Sequence, residues 1–172
     1  RGFTSMSENM SPDDVAELLR EYFNEMVEIV FRHGGTLDKF IGDAIMALWG
    51  APLASEDDAD KALRAAMEMQ RALVPLNEHW KATGKPAIAI GIGINFGEVF
   101  AGNIGSEQRM EYTVLGDAVN TGARLCSNAG RGEIMISEPL FQRLKSPPTV
   151  EAREPIKVKG KAQPVPIYLA KY

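Results

Sequence analysis

The apolar positions along the chain follow two periods, one typical of helices and the other of strands. From Pro12 to Arg32 apolar residues recur every three or four positions, which predicts an amphipathic helix. Ser11 before it is a good N-cap, and Pro12 suits the first helical turn. A second long helix is predicted over Glu56–Thr83, where Gly84-Lys85-Pro86 ends it.

Shorter apolar stretches bounded by glycine and polar residues predict the strands. Thr36–Ile41 and Ala44–Trp49 are joined by Gly-Asp, which indicates a β-hairpin. A second hairpin is predicted from Ala87–Ile94 to Glu98–Asn103. The remaining predicted elements are strands at 111–115, 133–136, 156–158 and 166–170, and helices at 117–128 (with Asp117 as its N-cap) and 138–144. This order, with hairpins predominating, predicts an α+β fold with a mostly antiparallel sheet and helices packed on one face.

Composition narrows the possible functions. With 19 Lys+Arg against 23 Asp+Glu the formal net charge is −4, which argues against a dedicated nucleic-acid binder. The single cysteine, Cys126, excludes an intrachain disulfide and fits a reducing compartment. No apolar run approaches the roughly 20 residues of a membrane span, and no signal-peptide pattern is present. We therefore expect one domain of 172 residues, cytoplasmic, with neither nucleic-acid binding nor membrane insertion.

The first hairpin carries two side chains that can act on phosphates. A carboxylate beside a flexible glycine, as in Gly42-Asp43, can hold Mg²⁺ while phosphate oxygens take other positions on the metal. Lys39 lies four residues earlier, on the strand that leads into this turn. The alternatives are an ordinary turn aspartate and a solvated strand lysine.

Two later segments offer further candidates. Asn120 and Arg124 are four residues apart on one helix face, where an amide and a guanidinium together can grip a phosphoryl group that gains charge. Lys157, Lys159 and Lys161 alternate near the end of the chain and could face a polyphosphate. The alternatives are an exposed polar helix face and an exposed strand end.

Together these segments resemble the catalytic domain of the class III nucleotidyl cyclases. The matching segments occur in the family's order over nearly the whole chain: Arg1–Thr4, Leu37–Ala44, Gly93–Gly97, Leu115–Arg124 and Val158–Lys161. The resemblance implies a ferredoxin-like α+β core and an antiparallel homodimer with two composite sites at its interface.

The resemblance also implies a metal and phosphate site with two Mg²⁺ or Mn²⁺ ions. Asp43 matches the second of two metal-binding aspartates, and Ile41 contributes no side-chain ligand. Phe3 and Thr4 match a turn whose backbone amides hold the phosphates. The first metal-binding aspartate would lie two residues before Arg1, together with a strand of the sheet, so a chain that truly begins at Arg1 is expected to be unstable and inactive.

The same resemblance implies that Lys39 and Thr113 recognise the purine base. Lysine only donates hydrogen bonds, so Lys39 suits the N1 acceptor of adenine, whereas the glutamate of guanylyl cyclases would suit the N1–H of guanine. Thr113 can accept a hydrogen bond from the adenine 6-amino group, but it can also donate, so it discriminates less firmly.

The remaining implied roles concern the ribose, the transition state and the triphosphate, and of these residues Asn120 and Arg124 would act from the other subunit. Asn120 matches the residue that orients the ribose, and Arg124 matches the arginine that stabilises the transition state. Lys159, with Lys161 as the second choice, matches the lysine that binds the triphosphate.

The function implied is that of a bacterial adenylyl cyclase, which converts ATP to 3′,5′-cyclic AMP and pyrophosphate under the control of an upstream regulatory or sensor domain. Threonine at position 113 resembles the bicarbonate-responsive subgroup. Two alternatives stay open: a guanylyl cyclase, and a non-catalytic nucleotide-binding or dimerisation module derived from a cyclase.

Overall fold

The computed structural model describes residues 1–158 and 160–172, so Lys159, the first choice for the triphosphate lysine, lies outside the described residues. The helices are α1 (Phe3–Ser7), α2 (Pro12–Arg32), α3 (Asp58–Ala82), α4 (Asp117–Asn128) and α5 (Glu138–Phe141). The strands are β1 (Thr36–Ile41), β2 (Ala44–Leu48), β3 (Ile92–Ile94), β4 (Phe100–Ser106), β5 (Arg109–Leu115), β6 (Ile134–Ser137), β7 (Val150–Ile156) and β8 (Val165–Ala170). None of the helices in these two stretches is long and apolar enough to cross a membrane.

The strands form one larger sheet and two hairpins. The four-stranded sheet has the order β3-β6-β8-β7, in which β3 and β6 are parallel and the other pairs are antiparallel. The hairpins β1–β2 and β4–β5 are both antiparallel. The prediction of an α+β fold with mostly antiparallel pairing is therefore confirmed.

The second predicted hairpin is wrong, because β3 does not pair with the strand that follows it. β3 instead runs parallel to β6, and β4 turns back into β5. Helix α4 packs on β3 so closely that a Cβ at Gly93 would lie 2.1 Å from the backbone nitrogen of Cys126. The glycines of this segment thus make room for a helix, which the alternation of Ile and Gly in the sequence does not indicate.

The helix starts were predicted with mixed success. Ser11 caps α2 as expected, since its side chain accepts a hydrogen bond from the backbone N–H of Asp14 at 3.1 Å. Asp117 is not the N-cap of α4: Gly116 takes that position without a side-chain cap, and Asp117 is the first helical residue. The short helix α1 was not predicted.

The two long helices share a core in which Leu18, Met26 and Trp80 are completely buried. The indole N–H of Trp80 donates to a carboxylate oxygen of Glu21 at 2.6 Å, and the Lys85 ammonium donates to the other oxygen at 2.7 Å. These two hydrogen bonds, from Lys85 first and then from Trp80, lower the pKa of Glu21 below its ordinary value of 4.5. A single carboxylate therefore holds α2 against the C-terminal end of α3.

We expect Glu21→Ala to lower the free energy of unfolding at neutral pH by about 1 to 3 kcal/mol, because the buried indole N–H of Trp80 loses its acceptor. The ionised carboxylate stabilises the folded state fully above pH 4.5, and that contribution is lost as the pH falls through the lowered pKa of the folded protein. Urea unfolding at pH 7 and at pH 3.5 to 4.5 measures both effects.

Glu17→Ala is the matched control for this prediction. Glu17 pairs with the same Lys85 ammonium at 3.4 Å but has no bond to Trp80, so its removal is expected to cost far less. Equal losses in the two variants would contradict the role assigned to the Trp80–Glu21 bond.

Candidate functional site

The tip of the β1–β2 hairpin presents Asp43 to solvent. Gly42 has a positive φ of 60°, a conformation that suits glycine in a two-residue turn, and Asp43 follows it with an exposed side chain. The Ile41 side chain is also exposed. The turn therefore leaves the carboxylate free to bind a ligand.

The structure brings Asp43 to the beginning of the chain. Asp43, Arg1 and Phe3 line one small pocket. Burial chiefly, together with the charge of Asp43, raises the pKa of the neighbouring Tyr22 hydroxyl. Phe3 and Thr4 are the first residues of α1, and the backbone N–H groups at such a position have no acceptor within their own helix.

The donor set suits part of a divalent metal site. Carboxylate oxygens are the ligands that Mg²⁺ prefers, usually one or two of them beside waters and phosphate oxygens. In the chain outside position 159, no group of three or more His, Cys, Asp or Glu side chains comes together as a metal site. The exposed Asp43 therefore fits as one ligand of an ion that takes its other oxygens from elsewhere.

Lys39 and Thr113, the predicted base readers, meet at a side chain that sequence reasoning missed. The Thr113 hydroxyl donates to Oδ2 of Asp38 at 3.1 Å, and the Lys39 ammonium lies 3.7 Å from the same oxygen. The Asp38 side chain is only 1% exposed, whereas that of Lys39 is 41% exposed. The structure thus brings the two predicted base readers together on one buried carboxylate.

Asn120 and Arg124 lie on the exposed face of α4, as their spacing predicts. The opposite face is fixed by the buried Thr121 and Leu125. The amide of Asn95, just after β3, donates to the backbone carbonyl of Ala118 at 2.9 Å and holds the start of the helix. In the described part of the chain neither the Asn120 nor the Arg124 side chain makes a hydrogen bond or an ion pair, so both can bind a ligand.

Lys161 is held at the beginning of α4. Its ammonium lies 2.8 Å from Oδ2 of Asp117, with both side chains partly exposed. A cleft of about 550 Å³ beside this pair is lined by Asn95, Phe96, Asp117, Lys161 and others. Neither predicted base reader lines the cleft, nor do Asp43, Asn120 and Arg124. These five predicted site residues therefore lie outside this cleft.

The predicted site residues fall into two groups that lie on different parts of the fold. The β1–β2 hairpin, with Lys39 and Asp43, packs against α2, whereas α4, with Asn120 and Arg124, packs on β3 and β6. Across residues 1–158 and 160–172 no hydrogen bond or ion pair joins the two groups. One chain therefore carries the two groups of predicted site residues on different elements.

Comparisons with known proteins give a family match and several similar relatives. The family model described as "Adenylate and Guanylate cyclase catalytic domain" matches residues 1–171. An adenylate cyclase of Anabaena cylindrica is 38% identical over 180 aligned residues, which cover 99% of this chain and 35% of that protein. The chain thus spans about a third of the length of this curated relative.

Two solved structures are similar over nearly the whole chain. The adenylyl cyclase CyaB from P. aeruginosa has a TM-score of 0.95 and 36% identity, covering 100% of this chain and 89% of that one. The guanylyl cyclase Cya2 has a TM-score of 0.93 and 40% identity, covering 99% of this chain and 86% of that one. The solved structures that match also include a guanylyl cyclase domain from the fungus Blastocladiella emersonii that is described as a non-canonical dimer, with a TM-score of 0.83 and 27% identity, covering 98% of this chain and 89% of that one.

Proposed function

The chain belongs to the adenylate and guanylate cyclase catalytic domain family, and from this membership we propose that it converts ATP to 3′,5′-cyclic AMP and pyrophosphate. The observation that carries the choice of ATP is the meeting of Lys39 and Thr113 at Asp38. A guanylyl cyclase is the second candidate, because Cya2 is as similar to this chain as CyaB is. A non-catalytic module is less well supported, since Asp43, Asn120 and Arg124 all leave their side chains exposed.

The proposed reaction is an intramolecular phosphoryl transfer. The ribose 3′-oxygen loses its proton and attacks the α-phosphorus in line, and the bond to the bridging oxygen of pyrophosphate breaks. Asn120 orients the ribose by hydrogen bonds from its amide. The Arg124 guanidinium stabilises the negative charge that grows on the transferred phosphoryl group.

The triphosphate is proposed to bind to N–H groups that donate hydrogen bonds to its oxygens. The free backbone N–H groups of Phe3 and Thr4 are suited to phosphate oxygens. Lys161 forms an ion pair with Asp117, the first residue of the helix that bears Asn120. Lys159 remains a candidate for the same role.

Asp43 is proposed to hold Mg²⁺ or Mn²⁺, with two ions per site. When bound, the metal lowers the pKa of the 3′-hydroxyl and offsets the charge of the phosphates. The first of the two metal-binding aspartates is proposed to lie two residues before Arg1. The pocket that Asp43 shares with Arg1 agrees with this position.

The working unit is proposed to be an antiparallel homodimer in which each site combines Asp43 of one subunit with Asn120 and Arg124 of the other. Support comes from the placement of Asp43 on the β1–β2 hairpin, which packs against α2, and of Asn120 and Arg124 on α4, which packs on β3 and β6. Both hairpins also expose large apolar side chains that a partner could cover: Phe40, Ile41, Phe100, Met110, Tyr112 and Leu115. We further propose an upstream regulatory or sensor domain, and a cytoplasmic location, where ATP is available.

The direct test is an assay of the chain with its upstream residues present. We expect cyclic AMP and pyrophosphate in equal amounts from ATP with Mg²⁺ or Mn²⁺, and less cyclic GMP from GTP. A purified, dimeric protein that forms neither cyclic nucleotide would refute the catalytic proposal, and a preference for GTP would favour the second candidate.

Lys39→Glu is expected to shift the ratio of kcat/KM for ATP to that for GTP at least tenfold towards GTP, because a carboxylate accepts from the guanine N1–H and cannot donate to the adenine N1. Total activity should also fall, since the new charge lies beside Asp38. Lys81→Glu makes the same charge change on the exposed end of α3 and should leave the ratio as it is. An unchanged ratio in Lys39→Glu would contradict the assignment of Lys39 as a base reader.

A further inference from the structure

We propose that Asp38 is a positioning residue that sets the choice of base, because it fixes the direction in which the Thr113 hydroxyl makes its hydrogen bonds. This inference rests on the proposed function and deepens it. It assigns a role in nucleotide specificity to a side chain that contacts Lys39 and Thr113 rather than the base itself.

The local backbone explains how Asp38 reaches both readers. Leu37 pairs with Ala47 and Lys39 with Met46, so the register shifts between them and Asp38 is the extra residue of a β-bulge. A bulge redirects side chains that would otherwise alternate across the strand. The carboxylate of Asp38 is thereby buried, with one of its oxygens shared between the Thr113 hydroxyl and the Lys39 ammonium.

The hydrogen bond between Thr113 and Asp38 fixes where the proton of the Thr113 hydroxyl points. A threonine hydroxyl has one proton to donate and two lone pairs that accept. An ionised carboxylate can only accept, so the Thr113 proton points to Asp38 and the lone pairs are left for a ligand. The ambiguity of threonine as a base reader is thus removed by its neighbour.

This polarity matches adenine and opposes guanine. The adenine 6-amino group donates and can use the free lone pairs of Thr113, whereas the guanine O6 only accepts and meets lone pairs instead of a proton. The Lys39 ammonium has three donors, of which Asp38 occupies at most one, so donors remain for the adenine N1. Asp38 therefore leaves an acceptor on Thr113 beside a donor on Lys39. This pair is complementary to the 6-amino group and N1 of adenine.

A purely structural role is the alternative. β1 and β5 belong to different hairpins, so the bond from Thr113 to Asp38 also ties the two hairpins together. Loss of such a tie would lower activity with ATP and with GTP by the same factor. The ratio of the two nucleotides separates the two roles, because only a base-directing role changes it.

The test compares Asp38→Asn with the wild type in the chain with its upstream residues present. The asparagine amide can donate to Thr113, so the hydroxyl is free to donate to the guanine O6. We expect the ATP-to-GTP ratio of kcat/KM to fall roughly tenfold. Thr113→Val should lower the ratio as well, and Asp38→Asn added to Thr113→Val should lower it no further, because both changes remove one interaction.

Two control variants accompany this test. Thr113→Ser retains a hydroxyl and should keep the wild-type ratio. Asp13→Asn removes the same charge from the exposed first turn of α2 and should leave the ratio unchanged. Competition of ATP and GTP against a fluorescent ATP analogue gives the ratio of their dissociation constants, which should fall in the same direction in Asp38→Asn, so the test does not depend on turnover.

The outcomes distinguish this inference from the proposed function. If the wild type makes cyclic AMP and Asp38→Asn loses ATP and GTP activity equally, Asp38 is only a tie between hairpins and the inference is wrong. If the wild type makes no cyclic nucleotide, the proposed function fails, and the binding ratios decide the role of Asp38. An additive effect of Asp38→Asn and Thr113→Val would also overturn the inference.

Discussion

Asp43→Ala and Arg124→Ala are each expected to abolish cyclic AMP formation, whereas a mixture of the two variants should recover about a quarter of the wild-type activity. In a random mixture about half of the dimers contain one copy of each variant. Each mixed dimer has one site with both changes and one with neither. Half of the dimers with half of their sites intact gives the quarter.

The two single losses have different causes. Without Asp43 the site lacks the one exposed carboxylate at the β1–β2 turn that suits a divalent metal. Without Arg124 the developing charge on the phosphoryl group loses a preorganised partner, which costs roughly 10²-fold or more in turnover. The mixture recovers activity only if the two residues act in one site from different subunits, as their placement on separate parts of the fold suggests.

A mixture of Asn120→Ala with Arg124→Ala is the matched control. Both residues lie on the exposed face of α4, so one subunit supplies both to the same site. Every site in the mixed dimer then lacks one of them, and no recovery is expected. Recovery in this control, or none in the first mixture although both variants fold and dimerise, would refute the composite site.

The parts of the fold that were predicted correctly have local signals. The bounds of α2 match the prediction because a capping serine, terminal glycines and an apolar period mark them in the sequence. The β1–β2 hairpin was found because Gly42 and Asp43 form a two-residue turn. The shared face of Asn120 and Arg124 follows from the helical period alone.

The parts that were missed depend on residues distant in the sequence. The parallel pairing of β3 with β6 is decided by α4, which covers β3, and neither strand indicates it. The pair of Lys161 with Asp117 joins two segments that only the folded chain brings together.

Asp38 was missed for a related reason. A bulge depends on the register of the partner strand, so a strand pattern places Asp38 and Lys39 on opposite faces. The adjacent aspartate and lysine in the sequence were the available signal. The roles of the site residues came from the family resemblance, since periodicity alone left each of them with an ordinary structural alternative.

Gly93→Ala is expected to lower the free energy of unfolding by about 3 kcal/mol or more, the largest stability effect that we predict for a single methyl group. The added Cβ would lie 2.1 Å from the backbone nitrogen of Cys126 and 2.7 Å from its Cα. Backbone atoms cannot rotate away as a side chain can, so α4 must move off β3. Urea unfolding at a fixed protein concentration measures the loss.

The same change should reduce activity more than stability alone explains, because α4 carries Asn120 and Arg124. A shift of about 1 Å in positioning groups can cost roughly 10²-fold in rate. Turnover measured far below the unfolding transition, where the variant is still folded, separates this effect from loss of folded protein.

Gly122→Ala provides the comparison within the same helix. The nearest atom to a Cβ at Gly122 is 3.9 Å away, so the methyl group fits. Replacing glycine by alanine inside a helix also stabilises it by about 0.5 to 1 kcal/mol. The two substitutions should therefore change stability in opposite directions. If Gly93→Ala unfolds at the same urea concentration as Gly122→Ala, then β3 and α4 do not pack as closely as the structure shows, and the rigid placement of Asn120 and Arg124 on the sheet loses its basis.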